Sequence, residues 1–229
     1  MSSPALAALT AAMLLATACT SNGATPGPDG AAGAGGGPGA GGAPGTDGMV
    51  ASDVVMNGFV SAGPWAGYGF TATDPGAATI TPDCSGGSCV PAFTGASFCM
   101  QGTVTGRADY TGFAMLGWNV AQADGGAAAT WPVPSSGGIT VTVSNPAATD
   151  LRLQLQGTDP HSGTDRWCID LVSGQMTPWT SFVTNCWTGG TPQTPLTAGT
   201  PIEQAAILVP GLQTDLPFNL CLVDIQITP

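Results

Sequence analysis

After residue 49 the chain never runs far enough without glycine, proline or threonine to complete three turns of helix, and this interruption is the tightest constraint on its fold. What remains are short β-rich segments at 54–61, 69–73, 97–105, 113–122, 138–144, 150–156, 166–172, 202–209 and 218–227. Strands of this length separated by turn-rich loops predict an all-β sandwich or barrel, not a parallel sheet covered by helices. A β-sandwich of jelly-roll type is the first choice.

Two segments show which side chains face the core. A period of two puts Leu151, Leu153 and Leu155 on one face and Arg152, Gln154 and Gln156 on the other. Likewise Trp167, Ile169 and Leu171 fall together, leaving Arg166, Cys168 and Asp170 opposite. Such a polar face suits a ligand that binds by hydrogen bonds. It equally suits a solvent-facing sheet carrying an Arg–Asp ion pair, because alternation is what any half-buried sheet shows.

The N-terminus has a different character. From Ala5 to Ala18 the chain is small or apolar, with a core (5–15) too short to cross a bilayer, and it reads as an export signal covering 1–18. Leu14-Leu15-Ala16-Thr17-Ala18-Cys19 resembles a bacterial lipobox, which makes Cys19 a lipidation site; ordinary cleavage after Ala16-Thr17-Ala18 is the alternative. Residues 19–48 form a Gly/Pro-rich linker without a Val, Ile, Leu or aromatic residue to order it. At about 5–6 Å times the square root of its length, such a tether reaches roughly 30 Å. The domain proper is expected at 49–229, on an exported protein that is either secreted or held at the outer membrane.

Six cysteines follow Cys19, and an even number in an exported domain argues for three disulfides. Of the fifteen possible pairings, the preferred set is Cys84 with Cys89, Cys99 with Cys221, and Cys168 with Cys186. A zinc site is the weaker reading, since Cys84 and Cys89 have no companion pair at ligand spacing and the single histidine, His161, lies far from them in sequence.

Composition then narrows function. Three arginines, no lysine and a formal charge of -11 leave nothing to neutralise a phosphate backbone, which excludes nucleic acid as a partner. No Gly-x-Ser-x-Gly elbow, His-Glu-x-x-His pair or phosphate-binding Gly-x-x-x-x-Gly-Lys loop occurs. A glycosidase needs two carboxyl groups across one bond, and Glu203 is the only glutamate. The six tryptophans suggest another chemistry: flat rings that lie against the apolar face of a neutral sugar. Trp65, Trp131, Trp179 and Trp187 fall in apparent loops or at strand ends, where side chains reach a ligand, whereas Trp118 and Trp167 alternate as core.

The succession Cys99-Met100-Gln101-Gly102-Thr103-Val104, Gly112-Phe113-Ala114-Met115-Leu116-Gly117-Trp118-Asn119, Leu151 to Gln156, Arg166-Trp167-Cys168, Pro178-Trp179-Thr180-Ser181-Phe182, Asn185-Cys186-Trp187 and Val209-Pro210-Gly211 resembles exported domains of myxobacteria-like bacteria. These are similar to galactose-binding-like jelly rolls, the architecture of many carbohydrate-binding modules. The resemblance implies a sugar on a concave sheet or at loop tips, and a structural calcium for which Asp224 would be a ligand. The expectation is a monomeric, surface-tethered, non-catalytic module for a neutral polysaccharide, bound by Arg152, Gln154, Gln156, Asp170, Trp65 and Trp187. The alternatives are a structural or adhesive envelope lipoprotein and a small polysaccharide hydrolase.

Overall fold

The computed structural model describes residues 52–84, 93–123, 125–159, 163–186 and 192–229. Cys19, the signal and linker, Cys89, His161 and Trp187 lie outside them. In chain order the strands are β1 (Val55–Met56), β2 (Phe59–Ala62), β3 (Trp65–Thr73), β4 (Ala78–Thr81), β5 (Cys99–Val104) and β6 (Phe113–Asn119). Short pieces follow: β7 (Ala121–Gln122), β8 (Ala128–Ala129) and β9 (Trp131–Pro132). The rest are β10 (Gly138–Ser144), β11 (Arg152–Gln156), β12 (Arg166–Asp170), β13 (Met176–Pro178), β14 (Pro201–Ile202), β15 (Gln204–Pro210) and β16 (Leu216–Thr228).

Most of these strands stack as two largely antiparallel layers, the all-β sandwich expected from the sequence, while β9 and β14 pair separately. The larger sheet has the order β1-β2-β3-β6-β15-β11-β12 and the smaller β13-β10-β16-β5-β4. The chain passes repeatedly between layers, so most sheet neighbours are remote in sequence. Between the layers lies one core: Leu116, Leu153, Leu155 and Ile207 from the larger sheet meet Met100, Ile139, Leu220 and Leu222 from the smaller. Fully burying a side chain of this size contributes about 1.5–3 kcal/mol, and the alternation that buries it fixes the register of each strand. Leu151, Leu153 and Leu155 all point inward, as their spacing predicts.

The first three strands correct the sequence reading. Segment 54–61 is not one strand, because Asn57 and Gly58 adopt φ of 51° and 76° and turn the chain between Met56 and Phe59. Two successive left-handed residues are what a type I′ hairpin demands. A second two-residue turn, Gly63-Pro64, joins Ala62 to Trp65. Trp65 therefore opens β3 and points into the core, fully buried, where it packs against Trp118, Trp131 and Trp179. The glycines that give this stretch the look of a loop are strand residues: a Cβ on Gly67 would strike the Asn119 carbonyl, and one on Gly69 would strike the Phe98 ring. Strand β4 also escaped the sequence reading.

Disulfides join Cys99 to Cys221, bracing β5 against β16, and Cys168 to Cys186, both pairs named above. Cys84 is likewise bridged. No helix among the described residues is long and apolar enough to cross a membrane.

Candidate functional site

The outward face of the larger sheet is assembled in rows, because paired strands place alternate residues side by side. One row runs Arg166, Gln156, Gln204, Asn119 across β12, β11, β15 and β6. Its amides form a directed chain: Gln204 Nε2 donates to Asn119 Oδ1 (3.1 Å), Asn119 Nδ2 to Gln122 Oε1 (2.7 Å), and Gln122 Nε2 to the Gly126 carbonyl (2.9 Å). Gln122 Oε1 also accepts the Tyr68 N–H. Burial pushes the Arg166 pKa below its ordinary value, an effect that the Asp159 carboxylate opposes.

The next row holds Cys168, Gln154, Ala206, Gly117 and Phe70. Small residues at 206 and 117 leave a trough here, and Phe70 fills one end of it. A Cβ on Gly117 would lie 2.5 Å from Phe70 Cζ and 2.6 Å from Cε2, so the ring lies on the glycine backbone. Gln154 stands toward the other end with 4% of its surface exposed, and no hydrogen bond among the described residues reaches its amide. Phe70, Met115, Gln154, Gln156, Gln204 and Ala206 line the dimple that remains, about 10 Å³ in volume. That is room for about one water, so the face is a platform and not a pocket.

The third row runs Asp170, Arg152, Leu208, Met115, Ala72. Arg152 Nε donates to Asp170 Oδ1 at 3.2 Å, and its Nη1 to the Cys186 carbonyl at 3.2 Å. The Cys168–Cys186 bridge holds the segment that begins at Val183 against β12, with backbone hydrogen bonds exchanged between Cys168 and Val183. Met115, Ala206 and Leu208 form an apolar cluster with Phe70, Ala72 and Phe113, separate from the main core. Met115, Ala206 and Leu208 are themselves buried, so the accessible part of the face is half-buried Phe70 toward β3 and the amides of Gln156 and Gln204 toward β11 and β15.

The structure therefore gathers Arg152, Gln154, Gln156 and Asp170 on one face and removes Trp65 from it, since Trp65 lies between the sheets. Trp179 is also core, 2% exposed. The aromatic residue on the platform is Phe70, which the sequence reading missed. The available signal was the alternation itself: counted by twos from the buried Trp65, residues 66, 68 and 70 face the other way. Asp224 sits on β16 opposite Thr142 and accepts a hydrogen bond from Gln226 Nε2 at 2.8 Å. Among the described residues no three of His, Cys, Asp and Glu converge to hold a metal, at Asp224 or elsewhere. Glu203 begins β15's approach to the face, and partial burial pushes its carboxyl pKa above the usual value.

A second concavity, a cleft of about 540 Å³, opens beside the start of β10. Pro134, Ser135, Ser136, Pro178, Leu196 and Thr197 are among its walls, with no charged side chain. It is broad, and Trp179, which also borders it, is only 2% exposed.

No protein-family model matches the chain, and no curated protein matches it in sequence. Three solved structures are similar to it in part. One comes from work on the promiscuous specificity of carbohydrate-binding modules of the β-sandwich superfamily, at 14% identity and a TM-score of 0.37 over 77% of this chain; the alignment spans 59% of that chain. Another is TmCBM61 in complex with β-1,4-galactotriose, at 11% identity and 0.25, covering 70% of this chain and 87% of the other. A third is an agarase, at 10% identity and 0.25, covering 57% and 22% respectively.

Proposed function

We propose that the domain is a non-catalytic carbohydrate-binding module that holds a neutral glycan against the outward face of the larger sheet. One observation carries this reading: in a single cross-strand row, a half-buried aromatic ring whose tip covers a glycine shares a trough with a carboxamide that has no hydrogen-bond partner among the described residues. Such a carboxamide offers both a donor and an acceptor to a ligand hydroxyl. Phe70 supplies the apolar surface on which a sugar ring stacks, and Gln156 and Gln204 supply further donors and acceptors at its rim. Arg152 is already neutralised by Asp170, so the face favours an uncharged ligand. In this reading residues 1–18 direct export, Cys19 carries the lipid, and 19–48 hold the face clear of the membrane.

Affinity electrophoresis against soluble galactan, xylan and β-glucan tests the proposal. Retardation by at least one polymer is expected, with Phe70→Ala and Gln154→Ala each reducing it about tenfold or more. Unchanged mobility on every polymer, or retention as strong in Phe70→Ala as in the parent, overturns it. The shallow relief of the face favours one second reading, an adhesive surface for another protein; self-association or partner capture abolished by Gln204→Lys, without sugar binding, would support that instead.

A further inference from the structure

Resting on the glycan reading above, we infer that Gln204 meets the ligand as a hydrogen-bond acceptor of fixed polarity, with Asn119 and Gln122 as its positioning residues. The ligand is accordingly an unsubstituted polysaccharide, one whose free hydroxyl donates to Gln204 Oε1. The polarity originates in the backbone. At Tyr68, between the β6 pairing that begins at Gly69 and the β7 pairing at Ala66, the strand N–H is taken by a side chain: it donates to Gln122 Oε1 at 3.1 Å. At the other end of the same amide, Gln122 Nε2 donates to the Gly126 carbonyl at 2.9 Å. A backbone N–H only donates and a backbone carbonyl only accepts, so these two contacts determine which end of the Gln122 amide is oxygen.

From there the orientation passes outward through side chains. Gln122 is 6% exposed, and a buried amide keeps its protein partners because water does not replace them. Its oxygen also accepts from Asn119 Nδ2 at 2.7 Å, which turns Asn119 Oδ1 toward Gln204, and Gln204 Nε2 donates to that oxygen at 3.1 Å. Reversing any one of the three amides sets oxygen against oxygen or nitrogen against nitrogen. The Gln204 nitrogen is thereby held against Asn119, and its oxygen ends the chain with no hydrogen bond from a described residue.

Gln204 is half-buried and borders the same dimple as Gln154 and Gln156. No hydrogen bond from a described residue fixes which end of those two amides a ligand meets. The three glutamines therefore differ in what they tolerate. An ether or ester oxygen on a sugar still accepts from the N–H groups of Gln154 or Gln156. It has no proton to give Gln204 Oε1, and a site built around a hydroxyl donor rejects the analogue that lacks it. Discrimination against O-methylated or O-acylated chains thus falls to Gln204.

The experiment is calorimetric titration of the full chain with soluble galactan, xylan and β-glucan, each before and after O-methylation. The parent is expected to bind the untreated form of its polymer about tenfold more tightly than the methylated form. Asn119→Leu, which leaves Gln204 in place but removes its anchor, should cut that preference about fivefold, and Gln204→Leu should do the same. Gln156→Leu should weaken both forms alike and keep the parent's preference. A purely structural defect lowers both affinities together, so the ratio separates positioning from folding; if Asn119→Leu loses its cooperative thermal transition, Gln204→Leu, at the half-buried rim, decides. Equal binding of the two forms by the parent, or the parent's ratio in either folded variant, overturns the inference, while weakened binding in Phe70→Ala leaves the glycan reading standing. Absence of binding to any polymer removes both.

Discussion

At the scale of single residues, the chain solves a filling problem created by its own glycines. Phe98 occupies the space over Gly69 and Phe70 the space over Gly117, so each glycine in a strand is read by an aromatic neighbour from another. The same demand explains four tryptophans, Trp65, Trp118, Trp167 and Trp179, whose buried indole N–H groups find no acceptor among the described residues. They are volume first and donors second. Glu203 is the residue whose burial runs against its chemistry. Its carboxyl pKa is raised by desolvation, so the folded protein holds that proton more tightly than the unfolded chain. Its contribution to stability is full below the ordinary carboxylate pKa and is lost as pH rises through the raised folded value. Glu203→Gln should therefore raise the melting temperature at about pH 7 and leave it unchanged at about pH 3. Thermal scans at the two pH values check this; a lower midpoint at neutral pH would mean that the charged carboxylate is stabilising.

At the scale of elements, legibility depended on whether a strand's partners left a trace in its own sequence. Strand β11 was readable because its two faces differ in polarity: leucines against the core, Arg152, Gln154 and Gln156 outward. The amide half of the platform was therefore visible before any coordinates. Strand β3 was read only in its second half, 69–73, because its inward residues alternate Trp65, Gly67, Gly69, Thr71, and the glycine positions make sense only once Asn119 and Phe98 are seen filling them. Phe70 fell within that segment, but without the first half of the strand its outward direction had no phase to be counted from. The Asn57-Gly58 turn, by contrast, was available as a two-residue hairpin signal and simply breaks the 54–61 segment in two. The disulfides act on different elements, and their removal should separate stability from binding. Cys99→Ser with Cys221→Ser unties a loop closed over 122 residues in the smaller sheet. It should cost about 2–5 kcal/mol in urea unfolding, with glycan affinity intact below the transition. Cys168→Ser with Cys186→Ser, at a separation of 18 residues, should weaken binding as well, since Arg152 loses its fixed acceptor at the Cys186 carbonyl. Equal effects of the two pairs on affinity would count against the platform as the site.

At the scale of the whole molecule, the charge distribution decides which polymers the platform meets. With a formal charge of -11 and three cations in 229 residues, the chain repels uronate-rich or sulfated polysaccharides at long range. One of the three cations, Arg152, is committed to Asp170, and Arg166 has lost hydration through burial. A ligand held by stacking and neutral amides gains nothing from Coulomb attraction, so salt has little to screen. Raising sodium chloride from about 0.1 to 1 M shortens the screening length from about 10 to 3 Å. Affinity for the retained neutral polymer should change by less than about twofold over that range, whereas an anionic polymer, excluded at low salt, should gain slightly as its repulsion is screened. The decisive measurement is titration of one neutral and one uronate-rich polysaccharide at both ionic strengths. A tenfold loss of neutral-polymer affinity at high salt would show that charge holds the ligand, and would move the site from the Phe70–Gln154 trough to the arginines at its edge.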